Sequence, residues 1–594
     1  MENPNRRIRQ LKLTGKFPKK DEINKALASF SKKERIIFGS FTLLLIFSTL
    51  AILQTVNKSQ MVEVPLRGGT ISEGIVGTPR FINPVLASSP ADRDMVSLIY
   101  SGLMRKKNDG TLVPDLAEKY EMSKNSLVYT FTLKENIYFH DNKPVTADDI
   151  LFTINKVKDS VIKSPYKANW DGITAKKIDD RTLEFTLKRP YPLFLENATL
   201  GIMPEHVWSN SAIELNAANT SPVGSGPYMI ESVAKESSGI INSYELQSFE
   251  EFALGEPYIK TVNLYFYPNE EKLLSALQKG EVDQISSITP DNANMLKEKN
   301  YQVNSSVLPR VFGLFFNQNK NQLFLDKVTT RAIDQAIDKD RIVREVLYGY
   351  GVAIDDPIPP NMISYQKLAV ENKTPRIDTL KNVEEMLSKA GWTKGEDGFL
   401  QKTTTNKKSG SASGGKTSVP LQFSISTGNA PELEKTAALI KEDLEAIGMR
   451  VDIKTFEVGN LNQSVIRPRE YDALLFGQII NHESDLFAFW HSSQRKDPGL
   501  NVAMYTNAKV DKILEDAFIT VSEQDRIKKY AEFENEIKKD MPAVFLYSPN
   551  FIYVVSPNLS GISIDHIATP SDRFENIYSW YTKTENVWKI FKKS

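Results

Sequence analysis

The chain reads as an α/β protein preceded by one apolar helix of membrane-crossing length, and three stretches carry that reading. In 127–133, Tyr129, Phe131 and Leu133 alternate with Thr130 and Thr132, the period-2 pattern of a half-buried strand. Asp141-Asn142-Lys143-Pro144 then reads as a turn. Thr146 stands as an N-cap with Asp148 and Asp149 in the first helical turn, followed by an apolar face of Ile150, Leu151, Ile154 and Val157. A second unit of the same kind runs from the helix start Asn429-Ala430-Pro431-Glu432 through helical spacing over 433–447 to Gly448 as a stop, after which 449–456 alternates as a strand. The third stretch, 36–56, carries no charge over a length that spans roughly 30 Å as a helix.

Length and composition fit this class. The 594 residues suffice for two or more domains, and 41% hydrophobic with 25% charged residues is ordinary for packed globular cores. The net charge of zero hides an asymmetry. Residues 1–35 hold 11 Lys/Arg against 4 Asp/Glu, so a head of +7 precedes a body of −7. That acidic body predicts no nucleic-acid partner. The positive head places the N-terminal segment in the cytoplasm by the positive-inside rule, with the body outside. A cleaved secretory signal is the competing reading. Against it stand the 35-residue leader, an apolar run longer than a signal-peptide core, and no clean small-x-small site. The chain holds no cysteine, which excludes disulfides, thiolate chemistry and a diacylglyceryl anchor, so 36–56 is expected to serve as the tether to the bilayer.

Several motifs, in order, resemble signatures of the family 5 solute-binding proteins, the peptide- and nickel-binding components of ABC importers. Tyr129-Thr130-Phe131, Phe139-His140-Asp141 and Thr146-Ala147-Asp148-Asp149 match three pieces of one signature. Pro114 to Glu118, Gly224-Ser225-Gly226-Pro227-Tyr228, Phe315-Phe316-Asn317 with the 328–339 segment, Ala390-Gly391-Trp392 and Asp540-Met541-Pro542 match others, so the resemblance covers about 67–560. It implies a two-lobed periplasmic-binding-protein-like fold of the class II type. Lobe one would take 67–102, 222–307 and 542–580, an accessory subdomain 103–221, and lobe two 308–541. A basic segment 1–35, the span 36–56, a stalk 57–66 and a tail 581–594 complete the expected organisation. The low-complexity stretch 401–418 is expected to be a flexible hairpin loop inside lobe two.

Catalytic and cofactor patterns are weak. Gly410 to Thr417 satisfies the P-loop pattern literally, but strand-like residues rather than a helix follow it, and a phosphate cradle needs a helix N-terminus there. The five histidines are scattered, with no HxxxH pair and no cysteine company for a metal. There is no G-x-S-x-G elbow. No enzyme, cofactor or metal is therefore expected.

A peptide-like solute requires polar groups for its main chain, aromatic walls and a counter-charge. By resemblance to a ser-pro-tyr segment that reaches the ligand in oligopeptide binders, Tyr166 and Trp170 are aromatic candidates; the alternative is that they pack the accessory subdomain. Phe315 and Asn317 lie where such proteins have a cleft-lining strand. Segment 476–490 matches the one that carries an aspartate for the ligand α-amino group, but its asp-pro is absent here. Glu483 or Asp485 aligns only with a shift, and either is otherwise a loop residue. Trp490 lines the cleft or packs beneath it. Gly224-Ser225-Gly226 is expected to shape a tight turn near the hinge, and 574–591 a helix-like segment docking on lobe one, the alternative being an interfacial or permease-facing role. The expectation is thus a membrane-anchored extracytoplasmic protein that captures oligopeptides or a related small solute between its lobes and delivers them to an ABC permease. The alternatives are a peptide sensor or chaperone-like receptor of the same fold without an importer, and an anchored hydrolase.

Overall fold

The computed structural model describes residues 20–107, 109–360, 362, 376–406 and 415–591. Residues 1–19 of the basic segment, 407–414 of the low-complexity loop and Lys592-Lys593 lie outside the described residues. The chain forms two compact units, Met1–Leu66 with Thr584–Ser594, and Arg67–Lys583.

In the smaller unit the apolar run is part of a longer helix, Lys32–Gln60, with no buried residue. Ser31 caps it, accepting from the Glu34 N–H while the Glu34 carboxylate accepts from the Ser31 N–H at 2.8 Å. At 29 residues the helix is roughly 43 Å long, more than the ~30 Å hydrocarbon layer requires. The expected stalk divides in two, its first residues closing this helix and Met61–Pro65 forming a strand. That strand pairs antiparallel with Thr584–Trp588. The helix-like reading of 574–591 is corrected by this pairing. The segment is short 3-10 turns at Pro570–Phe574 and Ile577–Ser579, then a strand. Ile577 and Trp580, both buried in the larger unit, take their three-residue spacing from the single 3-10 turn between them, whose Trp580 N–H donates to Ile577 O at 3.0 Å.

The larger unit is a mixed α/β body of two lobes. In one lobe Thr70–Val76 and Thr261–Tyr267 run parallel, and Ile241–Ser248 and Tyr228–Lys235 extend the sheet antiparallel. In the other, Arg450–Phe456, Gln422–Gly428 and Ala473–Ile479 are parallel neighbours, followed by antiparallel Arg310–Phe316. The 13-residue strand Ala543–Val555 joins them. Its first residues pair with Arg310–Phe316 and Gly351–Ala353, and 550–555 pair with Gln302–Val307 and Gln284–Ser286. The chain thus crosses from one lobe's sheet to the other's near Pro549, later than the expected boundary at 542.

A separate antiparallel sheet of Ala117–Met122, Val128–Leu133, Thr182–Leu187 and Ile173–Lys177 carries the accessory subdomain. The Thr146 cap and the Ala147–Lys158 helix stand where the sequence puts them, with Asp149 completing a capping box. The accessory sheet has no core of its own. Phe131, Phe185 and Trp170 belong to one continuous apolar cluster with Ile99, Tyr228 and Val262 of lobe one, whereas lobe two packs around separate clusters. Lobe one and the accessory subdomain therefore behave as one packed body.

In the low-complexity segment, Leu400–Asn406 pairs antiparallel with Gly415–Pro420. Gly415-Lys416-Thr417 thus begins a strand, and no helix N-terminus follows the P-loop-like pattern.

The glycine turn shows why its residue type is required. A Cβ on Gly224 would lie 2.0 Å from the Ile99 carbonyl oxygen, and one on Gly226 2.5 Å from the Ile99 carbonyl carbon. The Gly226 N–H donates to Ile99 O at 2.8 Å. His140 reads the same turn: its Nδ1 accepts from the Gly224 N–H at 3.3 Å and its Nε2 donates to Gly226 O at 3.1 Å, which requires the neutral Nε2–H tautomer. Burial pulls the His140 imidazole down to about 4.

Deeper in lobe one, the fully buried Arg573 forms a fork with Asp94, at 2.9 and 2.7 Å, and reaches Glu73 at 2.7 Å. Tyr553 donates to Glu73 at 2.8 Å. Residues distant in sequence meet there, and burial raises Glu73 against the pull of Arg573. Arg573→Ala leaves two buried carboxylates without their cation and is expected to destabilise the body by roughly 3–5 kcal/mol, measured by denaturant unfolding. His140 is lowered in the folded state, so its contribution to stability is present above 6.5 and is lost as pH falls towards about 4. Thermal unfolding followed across that window should show this loss in the native chain and a shallower one in His140→Asn.

Candidate functional site

A cavity of about 440 Å³ lies between the accessory side and lobe two. The first wall comes from the short helix Lys167–Trp170 and the turn Phe194–Asn197, which present Tyr166, Asn169, Trp170, Glu196 and Asn197. Opposite, the loop after Ala473–Ile479 presents Asn481, His482 and Glu483, and the first turn of Glu523–Asp540 presents Glu523 and Arg526. Segment 566–575 closes a third side with His566, Asp572 and Glu575, and Lys106 adds a cation.

The walls are held in place locally. Ser164 Oγ donates to Val85 O at 2.7 Å and accepts from the Tyr166 N–H, while the Tyr166 hydroxyl donates to Ala87 O at 3.4 Å. Trp170 packs its ring against Phe185 and Phe194, so one edge is core and another faces the cavity. Asn197 Nδ2 donates to Asn169 O at 2.7 Å and pins the two short turns to each other.

Charge lies on every side of the cavity, and the buried part of it on the lobe-two side is paired. Arg526 Nε donates to Glu483 Oε2 at 3.0 Å, both side chains almost entirely buried, and its Nη1 donates to Val521 O at 2.9 Å. Burial raises the Glu483 carboxyl although Arg526 pulls it down. Across the cavity, burial pushes Glu575 up to about 7, with Arg105 3.4 Å away opposing. The cavity therefore combines aromatic surface, amides and charges of both signs. Among the described residues no three His, Asp or Glu side chains converge to hold a metal ion.

The two walls also touch. His482 of lobe two forms an ion pair with Glu196 of the accessory subdomain. Burial lowers the imidazole, but the hydrogen bond and charge of Glu196, with Asp485 beyond, raise it further, so His482 lies above its ordinary value. Next to this pair Tyr191 stacks on Phe518 at 5.6 Å between centroids, and the Arg189 guanidinium sits 4.5 Å from the centre of the Phe518 ring. These contacts join the accessory subdomain to lobe two along one side of the cavity.

Of the residues expected from sequence, Tyr166, Trp170 and Glu483 line this cavity together. The other four stand elsewhere. Phe315 and Trp490 are both 0% exposed in the lobe-two core, with ring centroids 6.2 Å apart, and Trp490 also packs on Phe545 and Phe533. Trp490 is thus beneath the cavity, and Phe315 is buried because both faces of its strand are covered, Leu314 and Phe316 packing in one lobe-two cluster and Val311 and Phe315 in another. Asn317 holds a turn, donating from Nδ2 to Arg469 O at 2.9 Å and accepting from the Asn319 N–H. Asp485 accepts from the His482 N–H at 3.0 Å and organises its own loop at the start of Asp485–Trp490. Sequence reasoning missed Glu196, Arg526, Glu575 and His482. The first three carry no motif, and His482 stands among scattered histidines with nothing in its spacing to distinguish it.

Comparison with known proteins gives a consistent result. Residues 111–498 match the model of bacterial extracellular solute-binding proteins, family 5 Middle. The oligopeptide-binding protein AppA of Bacillus subtilis is 28% identical over 529 residues, covering 87% of this chain and 92% of its own length. The structure of that protein in complex with a nonapeptide superposes with a TM-score of 0.65 at 27% identity, over 88% of this chain and 100% of the other. NikZ from Campylobacter jejuni, in complex with Ni(L-His), shares the fold at a TM-score of 0.66 and 24% identity, over 86% and 99% of the two chains. With its matched segment spanning both walls of the cavity, this chain belongs to the family 5 bacterial extracellular solute-binding proteins.

Proposed function

We propose that the chain is a membrane-anchored, extracytoplasmic receptor that captures short oligopeptides in the cavity between its lobes and hands them to the permease of an ABC importer, without making or breaking a bond. The observation that carries this reading is the cavity itself, walled by the accessory subdomain on one side and lobe two on the other. Its volume lies in the lower part of the roughly 300–1,000 Å³ range of small-ligand sites, which suits a peptide of few residues. Tyr166 offers apolar surface backed by the buried Trp170, Asn169 and Asn481 offer main-chain-like hydrogen bonding, and the Glu483–Arg526 pair lines the wall with both signs of charge. The similarity to a protein crystallised with a nonapeptide supports the same class of ligand.

Anchoring rests on Lys32–Gln60, whose apolar residues are exposed along the helix and whose length exceeds the hydrocarbon layer. Capture follows from closure: a ligand that touches both walls binds the closed form better and shifts the population towards it. Glu196–His482 adds to that bias at a site where both side chains remain about a third exposed, so solvent screens the pair and its worth is roughly 0.2–1 kcal/mol.

Native mass spectrometry of the full chain in detergent, purified without refolding, should release a ladder of short peptides of similar length. An empty protein, or one carrying a single non-peptide solute, would remove the peptide assignment. His482→Gln should weaken peptide binding by a factor of about 2–5. His482 is raised in the closed form, so the ion pair contributes fully at low pH and is lost as pH rises through the raised value. Titration calorimetry from pH 6 to 9 should therefore show affinity falling with pH in the native chain, and a flatter profile in the variant.

A further inference from the structure

The ribbon made by Met61–Pro65 and Thr584–Trp588 places one segment of the chain at a specific height. Its register sets Trp588 opposite Met61, the residue that ends the membrane-length helix, and Thr584 opposite Pro65. Because the pairing is antiparallel, the second strand runs back towards the end of that helix, and Lys589–Phe591 continue in the same direction as a 3-10 turn. From Val56, the last residue of the uncharged run, the helix rises about 7 Å to Met61. The headgroup layer on each side of the hydrocarbon is itself roughly 5–7 Å deep. Trp588 therefore stands at the top of that layer. At about 2 Å per residue, Lys589–Phe591 reach at most about 6 Å beyond Trp588, within the depth of that layer.

The side chains at this height are those that such a layer accepts. Trp588 is 46% exposed, Ile590 76% and Phe591 71%, so three large apolar groups lie uncovered within four residues. In water this would be an unfavourable cluster; at a membrane interface, a tryptophan at headgroup level with apolar neighbours below it is the stable arrangement. Lys589 between them has a long stem that lets its ammonium remain among phosphates.

We propose that Trp588, Ile590 and Phe591 insert into the outer interfacial layer of the bilayer beside Lys32–Gln60, giving the chain a second, shallow membrane contact. This rests on the reading of Lys32–Gln60 as an uncleaved span. The strand pairing carries the segment to the bilayer surface, and the apolar side chains hold it there. The chain then meets the membrane as a paired ribbon with two contacts rather than as a single extended tether.

The cysteine-free sequence allows a direct test in the full chain. Single variants Ile590→Cys and Phe591→Cys, with Glu585→Cys on the ribbon and Leu50→Cys within the helix as references, are labelled with a nitroxide. They are then reconstituted in phosphatidylcholine/phosphatidylglycerol vesicles, and collision rates with oxygen and with a water-soluble nickel chelate are compared. Labels at 590 and 591 should favour oxygen over the chelate several-fold more than the label at 585, and less than the label at 50. Labels at 590 and 591 that match 585, while 50 stays shielded from the chelate, overturn the second contact and leave the anchor standing. A label at 50 open to the chelate overturns the anchor and the proposal together. Labels at 590 and 591 shielded from both reagents, with spin–spin broadening, would place a second copy of the chain on this face instead of lipid and overturn the lipid contact.

Discussion

The hydrogen-bond ladder of Ala543–Val555 is the constraint on which the rest of the body depends. A single strand that pairs with one lobe over its first half and with the other over its second cannot be displaced at either end without breaking backbone hydrogen bonds that have no alternative partner in a dry core. It therefore fixes where the lobes meet and leaves the crossing near Pro549, with the 308–309 link between Gln302–Val307 and Arg310–Phe316, to absorb a change of angle between them. Pro549 and Ser548 are held there by short pairing with Gly351–Ala353, so even the crossing is braced on one side.

The accessory subdomain obeys a different constraint. Its sheet is too small to bury an independent core, and it shares one apolar cluster with lobe one. The glycine turn at 224–226 and the neutral His140 seal that joint, because any Cβ or added charge there meets the end of Pro90–Ile99 or a buried imidazole. The result places Tyr166, Trp170 and Glu196 on a rigid wall that moves with lobe one. Glu483, His482 and Arg526 stand on the opposing lobe. Ligand capture then reduces to one relative motion between two bodies.

The buried charges of the cavity are held by partners. The buried pair of Arg526 and Glu483 is stabilised by two further backbone carbonyls on the arginine, so neither ion is left without a partner. Aromatic surface from Tyr166 and Trp170 is supported from behind by Phe185 and Phe194, which fixes the ring planes before a ligand arrives. The accessory wall is thus held by its own packing, whereas at the lobe interface contacts such as Tyr191 on Phe518 and Glu196 with His482 are small and partly wet.

What the sequence determined by itself is whatever depends on near neighbours. The Thr146 cap, the Pro431–Ala446 helix with its strands and the uncharged run each rest on local periodicity and capping, and each is found where those rules put it. The resemblance to family 5 likewise rested on contiguous motifs. Of the site, the aromatic pair Tyr166 and Trp170 and the acid Glu483 were legible because they sit inside those motifs. Phe315, Asn317, Asp485 and Trp490 sit inside them too, yet they turn to the core or to their own loops, since which side of a strand or loop faces a cavity is set by what packs behind it. Only tertiary structure decided that Glu196 meets His482, that Arg526 neutralises Glu483 from a helix about forty positions away, and that 584–588 is a strand. A ladder partner more than five hundred residues distant leaves no trace in local spacing, because its hydrogen bonds form between backbones whose sequences need share no pattern.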